Sequence, residues 1–436
     1  MSSAHLGNSR LGNATAVALP NRLDDIVIST RANWFLLTVL ATGLIVGYEK
    51  FLQERLFPYI NLAVVAGFYV ILLLQFRGKL IKPHPIPATL FGAAVCFALA
   101  AQWLAFGVSA LFWPHNIKIV AQFVLLLSAL CLVTQQMARR LLRIVNVWIV
   151  VIASLTIPLV CFGRFALWSL EDLRSASIFH DPNYAGVIFG FSLLYTLTMS
   201  TMAARLRYPV IAVLALMLSA TFSKGALLSI VIALCWLVLR KTPRLFLVLG
   251  PPVTWIASRS LTAILEWLNT HFPILRIGSG LNYRDRFWTD AFHAIVESPG
   301  VGHSQESLHA IIDHRAPGTD INSLHNYYME SAFLYGLPFT ALVLCVLFFS
   351  FRGSMRAAPG INTLLVFLMV AANNFTFSIG SVGLLPFLFT FVAVYPFLRS
   401  ETGSTPDVEP VRKSAGPEAA APVFTADDGR TVYRLF

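Results

Sequence analysis

The sequence predicts an all-α polytopic membrane protein: about 12 transmembrane helices, interrupted late in the chain by one large, mostly helical polar loop. Three observations carry this. The chain is 57% hydrophobic and only 12% charged, where a soluble domain carries about 25% charged residues. Its apolar runs are mostly 15–24 residues long, and a helix needs about 20 to cross a bilayer. Those runs do not alternate, which excludes the short in-out strands of a membrane barrel.

The elements follow in order. Residues 1–32 are polar and lack the apolar core of a signal peptide, so they are expected as a cytoplasmic tail. Residues 33–257 hold nine expected spans, at roughly 33–49, 56–76, 88–112, 117–137, 144–162, 182–203, 207–221, 225–239 and 243–257. Pro251 and Pro252 interrupt the ninth; proline removes a backbone donor, so this segment is expected to be broken or partly re-entrant. Residues 258–325 form the polar loop, and 326–398 hold three more spans, at 326–350, 360–378 and 381–398. The segment 399–436 is rich in Pro, Ala, Gly and charge and is expected to be a disordered tail. Cys96, Cys131, Cys161, Cys235 and Cys345 lie in or beside apolar runs with no CxxC pair, and read as small core residues.

Basic residues set the orientation. The net charge is +11, but it is scattered over short loops, which is a topology signal and excludes a nucleic-acid groove. With the N-terminus inside, the inner loops carry Arg77, Lys79 and Lys82; Arg139, Arg140 and Arg143; Arg205 and Arg207; Arg240, Lys241 and Arg244; Arg352 and Arg356; and Arg399 follows the last span. Both termini are then cytoplasmic, and the polar loop faces the other side. Against that frame Arg164, Arg174 and Lys224 are misplaced, as are the loop's own Arg259, Arg276, Arg284, Arg286 and Arg315. A polyanion held at the outer face would account for the excess.

Five stretches carry candidate chemistry, most of them beside a plainer reading. Arg284 and Arg286 begin a segment with Phe287, Ala291, Ala294 and Ile295 at helical spacing, an amphipathic helix at the membrane–water boundary. Their planar forks suit phosphate oxygens; the plainer reading pairs them with Asp285, Asp290 or lipid. Pro299-Gly300-Val301-Gly302 ends that helix in a tight turn, followed by His303. His325, with Asn326 beside it, sits where the loop meets the tenth span. It can act as a general base on a sugar hydroxyl or merely cap a helix. Asp181 and Pro182 are a helix cap and first position, which leaves Arg174 and His180 unexplained. In Ser223-Lys224-Gly225, serine caps the eighth span, and Lys224 stands at a helix start whose dipole disfavours a cation unless an anion lies between.

Taken together, Asp181-Pro182-Asn183, Ser223-Lys224-Gly225, Arg284 with Trp288 four residues on, Pro299-Gly300-Val301-Gly302 and His325-Asn326-Tyr327 resemble the O-antigen ligase and O-antigen/exopolysaccharide polymerase superfamily. The likeness covers about 180–345. It implies a GT-C-like bacterial inner-membrane glycosyltransferase with a periplasmic catalytic loop and an undecaprenyl-pyrophosphate-linked glycan as donor. The acceptor would be a second lipid-linked glycan or lipid A–core, with membrane lipids, a flippase and a chain-length regulator as partners. The family's loop arginine maps to Arg284, its turn cation to Lys224 and its histidine to His325. Lysine in that turn is a departure, because the family often has arginine there and a point charge loses bidentate geometry. Arg286, Arg174 and Arg164 are added from charge placement, and His303, Asn326 and Asn183 complete the expected substrate-binding set.

The chemistry is an attack by an acceptor hydroxyl on the anomeric carbon while undecaprenyl pyrophosphate leaves. Preplaced cations stabilise the charge gathering on the leaving group. No cofactor or metal is needed, and the sequence has no Asp-x-Asp pair or ligand cluster of the usual spacing. A polymerase is expected ahead of a ligase. A flippase or transporter is the reading from another class, and it would place ionisable residues at mid-membrane.

Overall fold

The structure, a computed structural model, describes residues 38–40, 57–75, 82–161, 168–169, 174–175, 177, 179, 181–241, 284–315, 323–375 and 384–400. These are mostly helical. Helices α1 (Phe57–Gln75), α2 (Pro85–Phe106), α3 (Pro114–Leu132), α4 (Gln135–Cys161), α5 (Pro182–Thr198), α6 (Ala204–Ala220) and α7 (Lys224–Lys241) come first. After the polar loop's α8 (Arg284–Glu297) and α9 (Gln305–Arg315) follow α10 (Tyr327–Tyr335), α11 (Leu337–Ala357), α12 (Pro359–Ala371) and α13 (Leu384–Val394). A two-residue antiparallel ribbon pairs β1 (Trp168–Ser169) with β2 (Arg174–Ser175).

Among the described residues, four helices are long and apolar enough to cross a membrane: Pro85–Phe106, Pro114–Leu132, Gln135–Pro158 and Leu337–Met355. Shorter apolar helices cover Ala63–Leu74, Pro359–Ala371 and Leu384–Phe397. The expected tails, the ninth run at 243–257 and nearly all of the first run lie outside the described residues.

Proline sets several starts. Pro85, Pro114, Pro182 and Pro359 each stand in the first turn of a helix, where the missing N–H has no intrahelical partner to lose. The run 326–350, expected as one span, is two helices. Gly336 breaks it with φ +85°, a backbone that costs a side chain dearly. An apolar run without internal polarity conceals such a break.

Every residue of α13, and Ala185 through Thr196 of α5, is buried. Around them pack α4, α6, α7, α11 and α12, with α2 against α11 and α3 against α2. The outer faces are apolar: Leu74 is 71% exposed, Leu104 82% and Phe112 72%. Water does not tolerate such a continuous surface, and lipid does. Interior polar groups are tied across helices. Asn146 accepts from Ser192 at 2.6 Å, and Trp236 donates to Asn362 at 2.7 Å. Small residues and side-chain amides hold helices together where burial of apolar surface cannot.

The bundle has two distinct ends. At one, α5 begins, α6 turns into α7, α12 ends and α10 begins; at the other lie Arg139, Arg207, Arg240 and Arg399. Arg139 there donates to the Tyr395 hydroxyl, Arg207 to Leu197 O and Arg240 to Met355 O, and the backbones of Gln135 and Arg399 are joined at 3.1 Å.

Candidate functional site

His325 sits in a turn held from four directions. Asn326 caps α10, its Oδ1 accepting from Met329 N at 3.0 Å. Glu330 reaches back to accept from Leu324 N at 3.1 Å. Tyr327 N donates to Ala372 O, at the end of α12, at 2.8 Å. Trp288 of α8 donates its indole N–H to Leu324 O at 2.7 Å. His325 itself is half-buried, with φ +51°. Non-glycine residues held there store strain and persist only where surrounding contacts over-determine them. The three such residues among those described are Ser177, Phe222 and His325. Phe222 and His325 lie next to or in the stretches singled out from the sequence, and Ser177 lies between Arg174 and His180.

The other stretches meet the same end. Asp181 caps α5, accepting from Asn183 N at 2.8 Å, and the Asn183 amide also reaches it at 3.2 Å. One turn on, Gly186 lies so close to the α6–α7 turn that a Cβ would stand 2.6 Å from that of Ser223. Ser223 caps α7, accepting from Ala226 N at 3.4 Å. Lys224 is the exposed first residue of that helix. A Cβ on Gly225 would stand 2.8 Å from that of Asn374, two residues past the Ala372 carbonyl that anchors Tyr327. A continuous path of contacts therefore runs from Asp181 through Ser223, Asn374, Ala372 and Leu324 to Trp288.

Pro299-Gly300-Val301-Gly302 packs on the α10–α11 break. Leu337 N donates to Pro299 O at 2.8 Å, and His303 N to Phe333 O at 2.7 Å. Gly302 has φ +79°, and a Cβ on it would lie 2.5 Å from Leu334 O. His303 is committed locally: its Nε2–H donates to Ala294 O at 2.9 Å, and its ring stacks on Phe333 at 4.7 Å. That contact fixes α8 to α10, so the visible role of His303 is to position the loop. It also lines a cavity of about 480 Å³ with Trp113 and His115. Against the same break, Gln102 donates to Leu334 O at 2.6 Å while accepting from Asn116, and Tyr335 donates its hydroxyl to His115 O at 3.1 Å.

Phe287, Ala291 and Ile295 are buried, as the helical spacing predicts. Arg284 and Arg286 are the first and third residues of α8, but the placement of their side chains lies outside the described residues, as does that of Arg174 in β2. Arg164 and His180 lie outside them altogether. Arg315 of α9 pairs with Asp290 of α8 at 2.5 and 2.8 Å. The hydrogen bond from Arg315 holds the Asp290 carboxyl below its ordinary range, and Asp290 raises Arg315 in return. Among the described residues, no group of three or more His, Cys, Asp or Glu side chains could hold a metal ion.

Reading residues alone missed Gln102, Asn116, Ala372 and Asn374. An amide within an apolar run was the available signal for Gln102; Asn116 falls between two runs, and the others act through backbone or proximity and leave none.

The fold defines a class, a helical protein with apolar helices of membrane-crossing length. Neither family models nor curated proteins give a match to the chain.

Proposed function

We propose that the chain is an inner-membrane polysaccharide polymerase, joining undecaprenyl-pyrophosphate-linked repeat units at the periplasmic face through the resemblance described above. In this reading some twelve spans cross the membrane, both termini are cytoplasmic, and the end bearing His325 and Lys224 faces outward. What supports it is the convergence of the dispersed stretches. Asp181, Ser223, Trp288 and the His325 turn are far apart in sequence, yet one path of hydrogen bonds and glycine contacts joins them.

In the proposed reaction His325 orients or deprotonates the acceptor hydroxyl. Arg284 and Lys224, with Arg286, Arg174 and Arg164 as further cations, stabilise the departing diphosphate. Asn183 and Asn326 contribute through the capped helix starts that place the two turns. The Trp288 contact would bring the Arg284 helix to the histidine turn, so that base and cation face one substrate.

The test is electrophoresis of surface glycan and lipid-linked intermediates from a deletion strain. A polymerase leaves single repeat units capping lipid A–core with no long chains. Long lipid-linked chains that never reach the core identify a ligase instead. Purified protein in vesicles that moves glycan across the bilayer without forming a glycosidic bond would be a flippase, and the proposal would fail.

A further inference from the structure

We propose that the opposite, basic end of the bundle carries a separate phosphate-recognising site, independent of the glycosyl-transfer reading. A cavity of about 610 Å³ lies there between the start of α4, the α5–α6 connection and the start of α12. Arg139, Arg140 and Arg143, all in the first nine residues of α4, line one wall. Arg143 stands four residues from Arg139 and three from Arg140, so the three share one helix face and bring three positive charges to the cavity.

The opposite wall supplies further donors. Gly360 and Ile361, in the first turn of α12, line it. Ala358, the cap of that helix, makes no side-chain capping bond, and Pro359 brings no N–H, so the N–H groups of Gly360 and Ile361 are the first-turn donors left for an anion. Ser200 accepts from Met202 N at 3.2 Å, which leaves its hydroxyl proton to donate. No carboxylate lines the cavity. Among the described residues of α1 to α7 and α11 to α13, no helix contains an Asp or Glu. Other cations at this end are satisfied by backbone carbonyls, Arg207 by Leu197 and Arg240 by Met355. Arg139 of this wall also donates to the Tyr395 hydroxyl, and the lining adds the hydroxyl-bearing Tyr195, Thr198 and Thr201. Exposed Val147 stands on the rim, an apolar edge that an acyl chain can follow.

The ligand is therefore a phosphate group, either in the headgroup of an anionic phospholipid or as free phosphate. Delipidated full-length protein is placed in bilayer discs of phosphatidylcholine, with or without phosphatidylglycerol, and retained lipid is counted by native mass spectrometry. Wild type is expected to retain phosphatidylglycerol and not phosphatidylcholine. Arg140→Gln/Arg143→Gln should weaken retention about tenfold or more. Arg205→Gln/Arg352→Gln removes the same charge at the same end outside the cavity and should retain it. If the glutamine pair does not fold, Arg140→Lys/Arg143→Lys keeps the charge, loses the bidentate fork and should still weaken retention. In a second arm, inorganic phosphate is compared with chloride at equal ionic strength by thermal shift on the same proteins. Stabilisation by phosphate that is lost in the cavity variant, without retained phosphatidylglycerol, assigns the site to free phosphate. Equal loss in the control pair, equal retention of phosphatidylcholine, or neither lipid nor phosphate bound would overturn the proposal.

Discussion

The two ends of the bundle are made differently. At the basic end arginines meet backbone carbonyls and the hydroxyl and ring of Tyr395, and among the described residues its turns hold no left-handed non-glycine backbone. At the other end helix starts are capped, glycines press against neighbouring backbone, and Ser177, Phe222 and His325 hold left-handed conformations. Strained backbone costs stability, and it persists only where surrounding contacts over-determine it. The contrast teaches that charge alone does not mark the proposed reaction site; charge beside an over-determined backbone does.

The largest expected effect tests that contrast directly. His325→Ala and Arg284→Ala should each abolish polymer, by about a hundred- to a thousandfold in rate for the lost cation, with protein level unchanged by immunoblot. Arg352→Gln, at the basic end, should leave polymer intact. Full glycan from both alanine variants would discard the site. Lys224→Arg should be tolerated and Lys224→Ala should not, read on the same gels.

Next comes a pair of glycines in one motif. Gly302→Ala meets Leu334 O and an unfavourable φ, and should cost on the order of 2 kcal/mol or more, seen as lost folded protein in detergent. Gly300→Ala meets nothing within 4 Å and should express normally. Equal behaviour of the two would mean that the turn does not dock on the α10–α11 break.

Trp288→Phe keeps an aromatic side chain but removes the pyrrole half of the indole with its N–H donor to Leu324 O. It should cost about 1–3 kcal/mol for the unsatisfied carbonyl and lower turnover more than expression, measured as rate per folded protein. The smallest effect concerns Asp290 and Arg315. Because folding lowers the Asp290 pKa, the pair favours docking of α9 on α8 above the ordinary carboxylate range. That contribution fades as pH falls through the lowered value. The protection of 305–315 against hydrogen exchange, relative to the intrinsic rate at each pH, should fall on acidification in wild type and change less over the same range in Asp290→Asn.

Much of the local structure was written in single residues. Pro182 behind Asp181, Ser223 before α7, and the spacing of Phe287, Ala291 and Ile295 are short-range signals, since capping and amphipathicity act within two turns. The break at Gly336 was hidden, because its neighbours are apolar on both sides. The role of His303 was also hidden: a histidine after a glycine turn reads as a ligand until Ala294 O and Phe333 are found against its ring.

What the sequence determined by itself was the helical class and the capped starts of α5 and α7. Each follows from hydropathy, dipoles and hydrogen bonds between near neighbours. Only the tertiary structure decided that Gly186 touches Ser223, that Asn374 lies against Gly225, and that Trp288 holds Leu324. Those contacts join residues tens to hundreds of positions apart, and close packing of one helix on another selects them from many arrangements that the same local preferences would allow.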